Sequence, residues 1–270
     1  MKASRFVGVV AATVLVGASS VGCSAGAVAQ KAGESAQLVM ALAGASEKAA
    51  SAGSAEISMT MTSPDTAGKA VNMKGLYSWG SGLAMEVEVP AADLQLDALA
   101  ADGTVMMRLV DGAYYYEVDP FEDGPFKGKS WLKVDAAAVL GEKGAAGLGA
   151  ASGDPTAGLK TLKYARNVTT VGTESINGKS TVHYRAEVPA DKLGVAADMY
   201  ENLGLSGQVV TDVWVDGEGA PARLNQQIGT TSISLDFLKF GIQKRIEVPP
   251  AADTADMTEI FKQQDQAGAV

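Results

Sequence analysis

The chain has one cysteine, Cys23, and one histidine, His183, in 270 residues. A lone cysteine leaves no pair for a disulfide, so the fold must rest on its core. A lone histidine excludes metal sites built from several imidazoles. Positive charge is also scarce: 22 Lys and Arg stand against 31 Asp and Glu, a net charge of −9. Such an acidic body repels phosphate backbones, and nucleic acid is not an expected partner. Aromatic residues make up 6% of the chain. No apolar run is long enough to span a membrane: Phe6 to Val16 is short and leads into Gly and Ser.

What stands at the start has the order of an export signal. Lys2 and Arg5 precede the apolar run Phe6 to Val16, and small residues from Gly17 to Gly22 end at Cys23. Val21-Gly22-Cys23 resembles the end of the lipobox of bacterial lipoproteins, with Ser20 where an aliphatic residue is usual. That resemblance implies a diacylglyceryl group on the Cys23 thiol, with Cys23 as the mature N-terminus. One acyl chain anchors weakly, at about 0.8 kcal/mol per buried CH₂. Two or three chains, palmitate among them, hold a protein lastingly at the extracytoplasmic face of the cell membrane. Removal of residues 1–22 takes Lys2 and Arg5 away and moves the net charge from −9 to about −11.

The expected organisation is a signal peptide over 1–22, a flexible tether over 23–33, a folded domain over 34–250 and a polar C-terminal tail over 251–270. Glu34 to Ala50 reads as a helix, with Leu38, Leu42, Ala45 and Ala49 on one stripe. From Ala55 the period changes to two. Strands are expected at Ala55 to Thr62, Val71 to Trp79, Leu83 to Val89, Val105 to Val110, Tyr114 to Val118 and Trp131 to Val134. They resume at Val168 to Val171, Ser180 to Val188, Val209 to Val215, Ala222 to Ile228 and Thr231 to Phe237, with one more over Phe240 to Val248. Asp111-Gly112 and Asn177-Gly178 mark hairpin turns. Helices are expected at Asp135 to Leu140, Gly158 to Arg166 and Asp191 to Leu203. Gly141 to Gly158 reads as a flexible Gly/Ala loop, a candidate flap. Met257, Ile260 and Phe261 in the tail could dock as a short helix or stay disordered.

No catalytic constellation can be assembled, and no cofactor or metal is expected. His183 shares a strand face with Arg185 and Glu187, which places it at an exposed position. Gly128-Lys129-Ser130 and Gly178-Lys179-Ser180 lack the glycine spacing of a phosphate loop and lead into strands. The carboxylate pairs Glu86 with Glu88 and Asp97 with Asp102 read as solvated faces. Lys127, Lys129 and Lys133 could meet an anionic head group, although a solvated cluster is the simpler account.

What remains is an apolar surface. Met59, Met61, Met73 and Met85 alternate in step with Ile57, Val71 and Val87, which gathers them on one sheet face. Methionine is flexible and polarizable, so such a face adapts to guests of varied shape. The expected lining of an apolar cavity is Ile57, Met59, Met61, Met73, Met85 and Val87, with Met107, Leu109, Val213, Ile233 and Leu235 from later strands. A long antiparallel sheet with few helices covers such a face loosely.

Val209 to Leu224, VVTDVWVDGEGAPARL, resembles the signature hairpin of the LppX/LprG-type lipoproteins of actinobacteria. Trp131-Leu132-Lys133-Val134-Asp135 after Tyr114-Tyr115-Tyr116, and Tyr164 to Val168 on through Tyr184, are similar to the same family. The resemblance spans about Glu34 to Pro250. It implies an α+β fold whose large antiparallel sheet forms a half-open β-barrel covered by a few α-helices, as in the LolA/LolB carriers. Its better-understood members bind acylated lipids or lipoglycans and move them outward from the membrane. The expected partners are therefore a multi-acyl lipid or lipoglycan, the membrane through the N-terminal anchor, and a membrane transporter, with the protein itself a monomer. A regulatory or protein-interaction lipoprotein on the same fold is the alternative. A cell-wall hydrolase would need an acidic pair or activated serine in a cleft.

Overall fold

The computed structural model describes residues 23–64, 68–150, 156, 166–189 and 208–268. The chain divides into two units, Met1–Glu34 and Ser35–Val270, and the sheet lies wholly in the second. The sheet has twelve strands in the order β12-β6-β5-β4-β3-β2-β1-β11-β10-β9-β8-β7. The first half comprises β1 (Ser54–Thr62), β2 (Ala70–Ser78), β3 (Ala84–Pro90), β4 (Thr104–Val110), β5 (Ala113–Glu117) and β6 (Trp131–Asp135). The second comprises β7 (Arg166–Ile176), β8 (Lys179–Val188), β9 (Val209–Asp216), β10 (Pro221–Ile228), β11 (Thr231–Phe240) and β12 (Thr254–Asp256). The described helices are α1 (Cys23–Ala52), α2 (Ala136–Ala150) and α3 (Thr258–Gly268).

All neighbours run antiparallel except β12 beside β6. The edges β12 and β7 do not pair with each other, so the fold is an α+β half-open barrel. Its meanders are closed by local turn chemistry. Asp111 and Gly112 take φ of 50° and 75°, the left-handed pair that a two-residue hairpin needs.

Antiparallel register gathers alternate residues into rows across strands. One row runs Met73, Met59, Leu235, Leu224, Val213, Tyr184. The next along the strands runs Val71, Met61, Ile233, Gln226, Thr211, Ala186. On the other side lies Leu132, Tyr116, Met107, Val87, Gly75, Ile57, Phe237. In that row Gly75 has no substitute: a Cβ there would lie 2.0 Å from the Glu86 carbonyl oxygen and 2.8 Å from Val87 Cα.

Helix α1 covers this face with Leu42, Ala45 and Ala49, all at most 1% exposed. Burying a leucine of this kind contributes about 2 kcal/mol. Trp79 at the end of β2 donates its indole N–H to the Ala49 carbonyl at 3.1 Å. The buried Ser46 hydroxyl donates to the Thr156 carbonyl at 3.0 Å. No helix among the described residues is long and apolar enough to cross a membrane.

Several expectations need correction. Residues 23–33, read as a flexible tether, are helical, since the alanine-rich stretch has no proline and simply extends α1 backward. The Gly/Ala loop is helical as far as Ala150, with a break at Gly141, where φ is 71°. Its remainder, apart from Thr156, lies outside the described residues, as do residues 158–165 and the helix expected at Asp191 to Leu203. The strand expected over Phe240 to Val248 is absent: β11 ends at Phe240. Gly241 to Pro250 instead forms a strap without strand pairing, anchored by buried Ile246 in a second apolar cluster with Leu76, Tyr115 and Trp131. Beyond it, residues of the expected polar tail supply β12 and α3.

Candidate apolar binding face

Every residue expected to line a cavity falls on the helix-covered face by register. Ile57, Met73, Val87, Met107, Val213 and Leu235 are buried in its main cluster, and Met59, Met61 and Met85 pack against it half-buried. Leu109 is buried between Met85 and Tyr114 in the ladder, and Ile233 is half-buried beside Met61. Every Asp, Glu, Lys and Arg in the paired registers of β1 to β6 and β8 to β11 projects to the opposite face. The helix-covered face therefore offers a ligand no full charge from these strands.

Its polar atoms come from Gln226 and Thr211 in the Met61 row and from the phenols of Tyr114 and Tyr116. Tyr114 and Tyr116 stack with ring centroids 6.5 Å apart. Burial raises the Tyr114 phenol, and burial with the neighbouring Tyr114 pushes Tyr116 up to about 12. Both nevertheless keep accessible surface. Tyr77, Tyr184 and Phe240 are half-buried around the same cluster. Alternation alone would have found Tyr114 and Tyr116, since they continue the Leu109 and Met107 rows.

The opposite face carries the ionic chemistry. His183, expected at an exposed position, is 6% exposed. Its Nδ1 meets Glu174 at 2.8 Å, its Nε2 meets Asp212 at 2.7 Å, and its ring stacks on Trp214 at 4.1 Å. Trp214 and the carboxylates cover it, so strand alternation placed the face correctly and missed its burial. Both ring nitrogens end on carboxylates and neither faces a hydroxyl. Asp212 also takes two hydrogen bonds from Arg185.

Glu86 likewise departs from a solvated face, being buried between Arg108 and the strap's Lys244. Burial alone raises its carboxyl, but hydrogen bonds and charge from Lys244 and Arg108 outweigh that, and the net shift is downward. The lysine cluster also has internal partners. Lys133 bridges Asp135 and Asp256 at 2.8 and 2.9 Å, Lys129 donates to the Ala252 carbonyl, and Lys127 lies 3.9 Å from Asp123. Lys133 projects away from the helix-covered face.

A polar cleft of about 480 Å³ opens on that opposite side among Glu88, Asp102, Glu117 and Asp119. Among the described residues, no group of three or more His, Cys, Asp and Glu could hold a metal ion.

No family model matches the chain. A search of solved structures finds the lipoprotein LppX of Mycobacterium tuberculosis, with a TM-score of 0.52 and 16% identity over 78% of this chain and 98% of that one. The fold is that of the LppX-type lipoproteins. In sequence, the chain is 27% identical over 228 residues to an uncharacterized 31.2 kDa protein from the rplA-rplJ intergenic region of Streptomyces griseus. That match covers 73% of this chain and 72% of the relative. A Streptomyces coelicolor protein bearing the name "putative lipoprotein" is 26% identical over 202 residues, 70% of this chain and 65% of its own length. On the LppX-type frame, the helix-covered face is the sheet's large uncharged surface.

Proposed function

We propose that the protein is a membrane-anchored lipoprotein that binds an acylated lipid or lipoglycan on its helix-covered face and carries it across the cell envelope. Residues 1–22 direct export, Cys23 is the lipidation site, and the domain works at the extracytoplasmic face of the cell membrane. A membrane transporter is the partner proposed to load it, and it acts as a monomer without covalent chemistry.

One observation carries the reading: an uncharged, methionine-rich face continues across the central strands, with Met59, Met61, Met85, Tyr114 and Tyr116 still accessible within it. An acyl chain leaving a membrane loses about 0.8 kcal/mol per exposed CH₂, so its carrier must offer comparable apolar surface. Flexible methionines meet that need for chains of varied shape.

The test is uptake of an offered radiolabelled diacyl lipid by a soluble form beginning after Cys23. The wild type should take up lipid, and the pair Met61→Trp with Met85→Trp should lose most of it. Equal uptake by both proteins would remove the helix-covered face from the account. No uptake by either would favour the protein-interaction alternative.

A further inference from the structure

The strap from Gly241 to Pro250 is held to the outer face by few contacts. At its start the Gly241 amide donates to the Ser54 carbonyl at 2.9 Å, and the Ser54 hydroxyl donates to the Ile242 carbonyl at 2.9 Å. From Ile242 to Val248 no strap amide reaches another backbone group among the described residues. Gln243, Lys244, Arg245, Glu247 and Val248 stand exposed. Two side chains fasten the middle: Lys244 meets Glu86 Oε1, and Ile246 is buried against Leu76, Tyr115 and Trp131. Arg108 adds one hydrogen bond to the Glu247 carbonyl, at 3.1 Å. A segment with so few backbone bonds has low local stability and opens before the sheet beneath it.

The surface under the strap differs from the rest of that face. Leu76, Glu86, Arg108 and Tyr115 form one cross-strand row, and Trp131 lies with its ring centroid 4.7 Å from the Arg108 guanidinium. With the strap lifted, Glu86 Oε2 keeps Arg108 at 2.8 Å, but Oε1 loses its cation beside three uncovered apolar side chains. We propose that the strap is a releasable cover over a docking site for an extended peptide segment with a cation two residues before an aliphatic side chain. That spacing is the strap's own, Lys244 to Ile246. Residues two apart in an extended segment project to the same side, so one segment delivers the cation to Glu86 and the aliphatic group to Trp131 and Tyr115. The strap is tethered at both ends and competes at high effective concentration, so a partner binds only as the strap lifts. The site lies away from the helix-covered face and does not depend on lipid binding.

The soluble form beginning after Cys23 contains no cysteine, so Ile246→Cys gives it a single thiol. That buried thiol should react with a disulfide reagent at least about tenfold faster than the thiol of Val213→Cys, which is buried in β9. Equal rates would mean that the strap opens only with the whole fold, and would overturn the proposal. A fluorescent peptide of residues 240–250 then probes the site in the Lys244→Ala, Ile246→Ser variant, whose strap has lost both side-chain fastenings. Fluorescence anisotropy should show that this variant binds the peptide at least about tenfold tighter than the wild type does. A peptide carrying Glu in place of Lys244 and Ser in place of Ile246 should not bind. Where the double variant melts early, Ile246→Ala makes the same comparison. A folded variant that ignores the peptide, or binds both peptides alike, overturns the docking site.

Discussion

Trp79 Nε1 donates to the carbonyl of Ala49 across 3.1 Å, fastening the end of β2 to α1 with both partners buried. Trp79 also meets Tyr77 and Phe240 edge to face at 5.6 and 6.5 Å. Trp79→Phe keeps much of that packing but leaves the Ala49 carbonyl without its indole donor. The expected loss is about 1–2 kcal/mol in urea unfolding.

Gly75 gives a sterner result. A methyl group there would overlap the Glu86 carbonyl oxygen, so β2 and β3 would have to separate. Gly75→Ala should destabilise by about 3 kcal/mol or more in the same measurement. Gly68 has open space where a Cβ would stand and a φ of 74°, so its alanine variant tests backbone strain alone and should cost less.

His183 stands on the face away from the proposed lipid surface. His183→Leu leaves Glu174 and the buried Asp212 each short of one hydrogen bond, though Arg185 still holds Asp212. Stability should fall by about 2 kcal/mol. Lipid uptake, measured at a temperature where the variant is folded, should match the wild type.

Acid sensitivity should centre on the strap and β12. Burial raises the Asp256 carboxyl, but hydrogen bonds from Thr258 and the Lys133 ammonium outweigh it and bring it to about 2. Glu86 is also held below its ordinary value. A carboxyl depressed by folding stabilises fully above its unfolded value and loses that contribution as pH falls toward its folded one. Stability should thus drop between about pH 4 and pH 2. The difference between wild type and Asp256→Asn should close across the same window in urea midpoints.

Much of the fold is legible in the sequence because antiparallel strands announce themselves by alternation. Ile57, Met59 and Met61 against Ser58, Thr60 and Thr62 give both the strand and its apolar face, and Asp111-Gly112 gives a hairpin. Periodicity carries less about segments whose partners are distant. Residues after Phe240 look strand-like, but Gly241 turns the chain away and Ile246 docks into a cluster built by Leu76 and Trp131. The burial of His183 is hidden for a related reason: alternation gives its strand face, while its cover comes from Trp214 on another strand. The tyrosines of the apolar face carry the same alternation signal as the methionines, but a phenol hydroxyl suits a surface position equally well.

The most direct test of lipid binding is native mass spectrometry with organic extraction on protein purified from an actinobacterial host. The account predicts a co-purifying acylated lipid that is reduced several-fold in the Met61→Trp, Met85→Trp double variant. A wild-type protein that arrives empty, and stays empty when acylated lipids are offered, would contradict it.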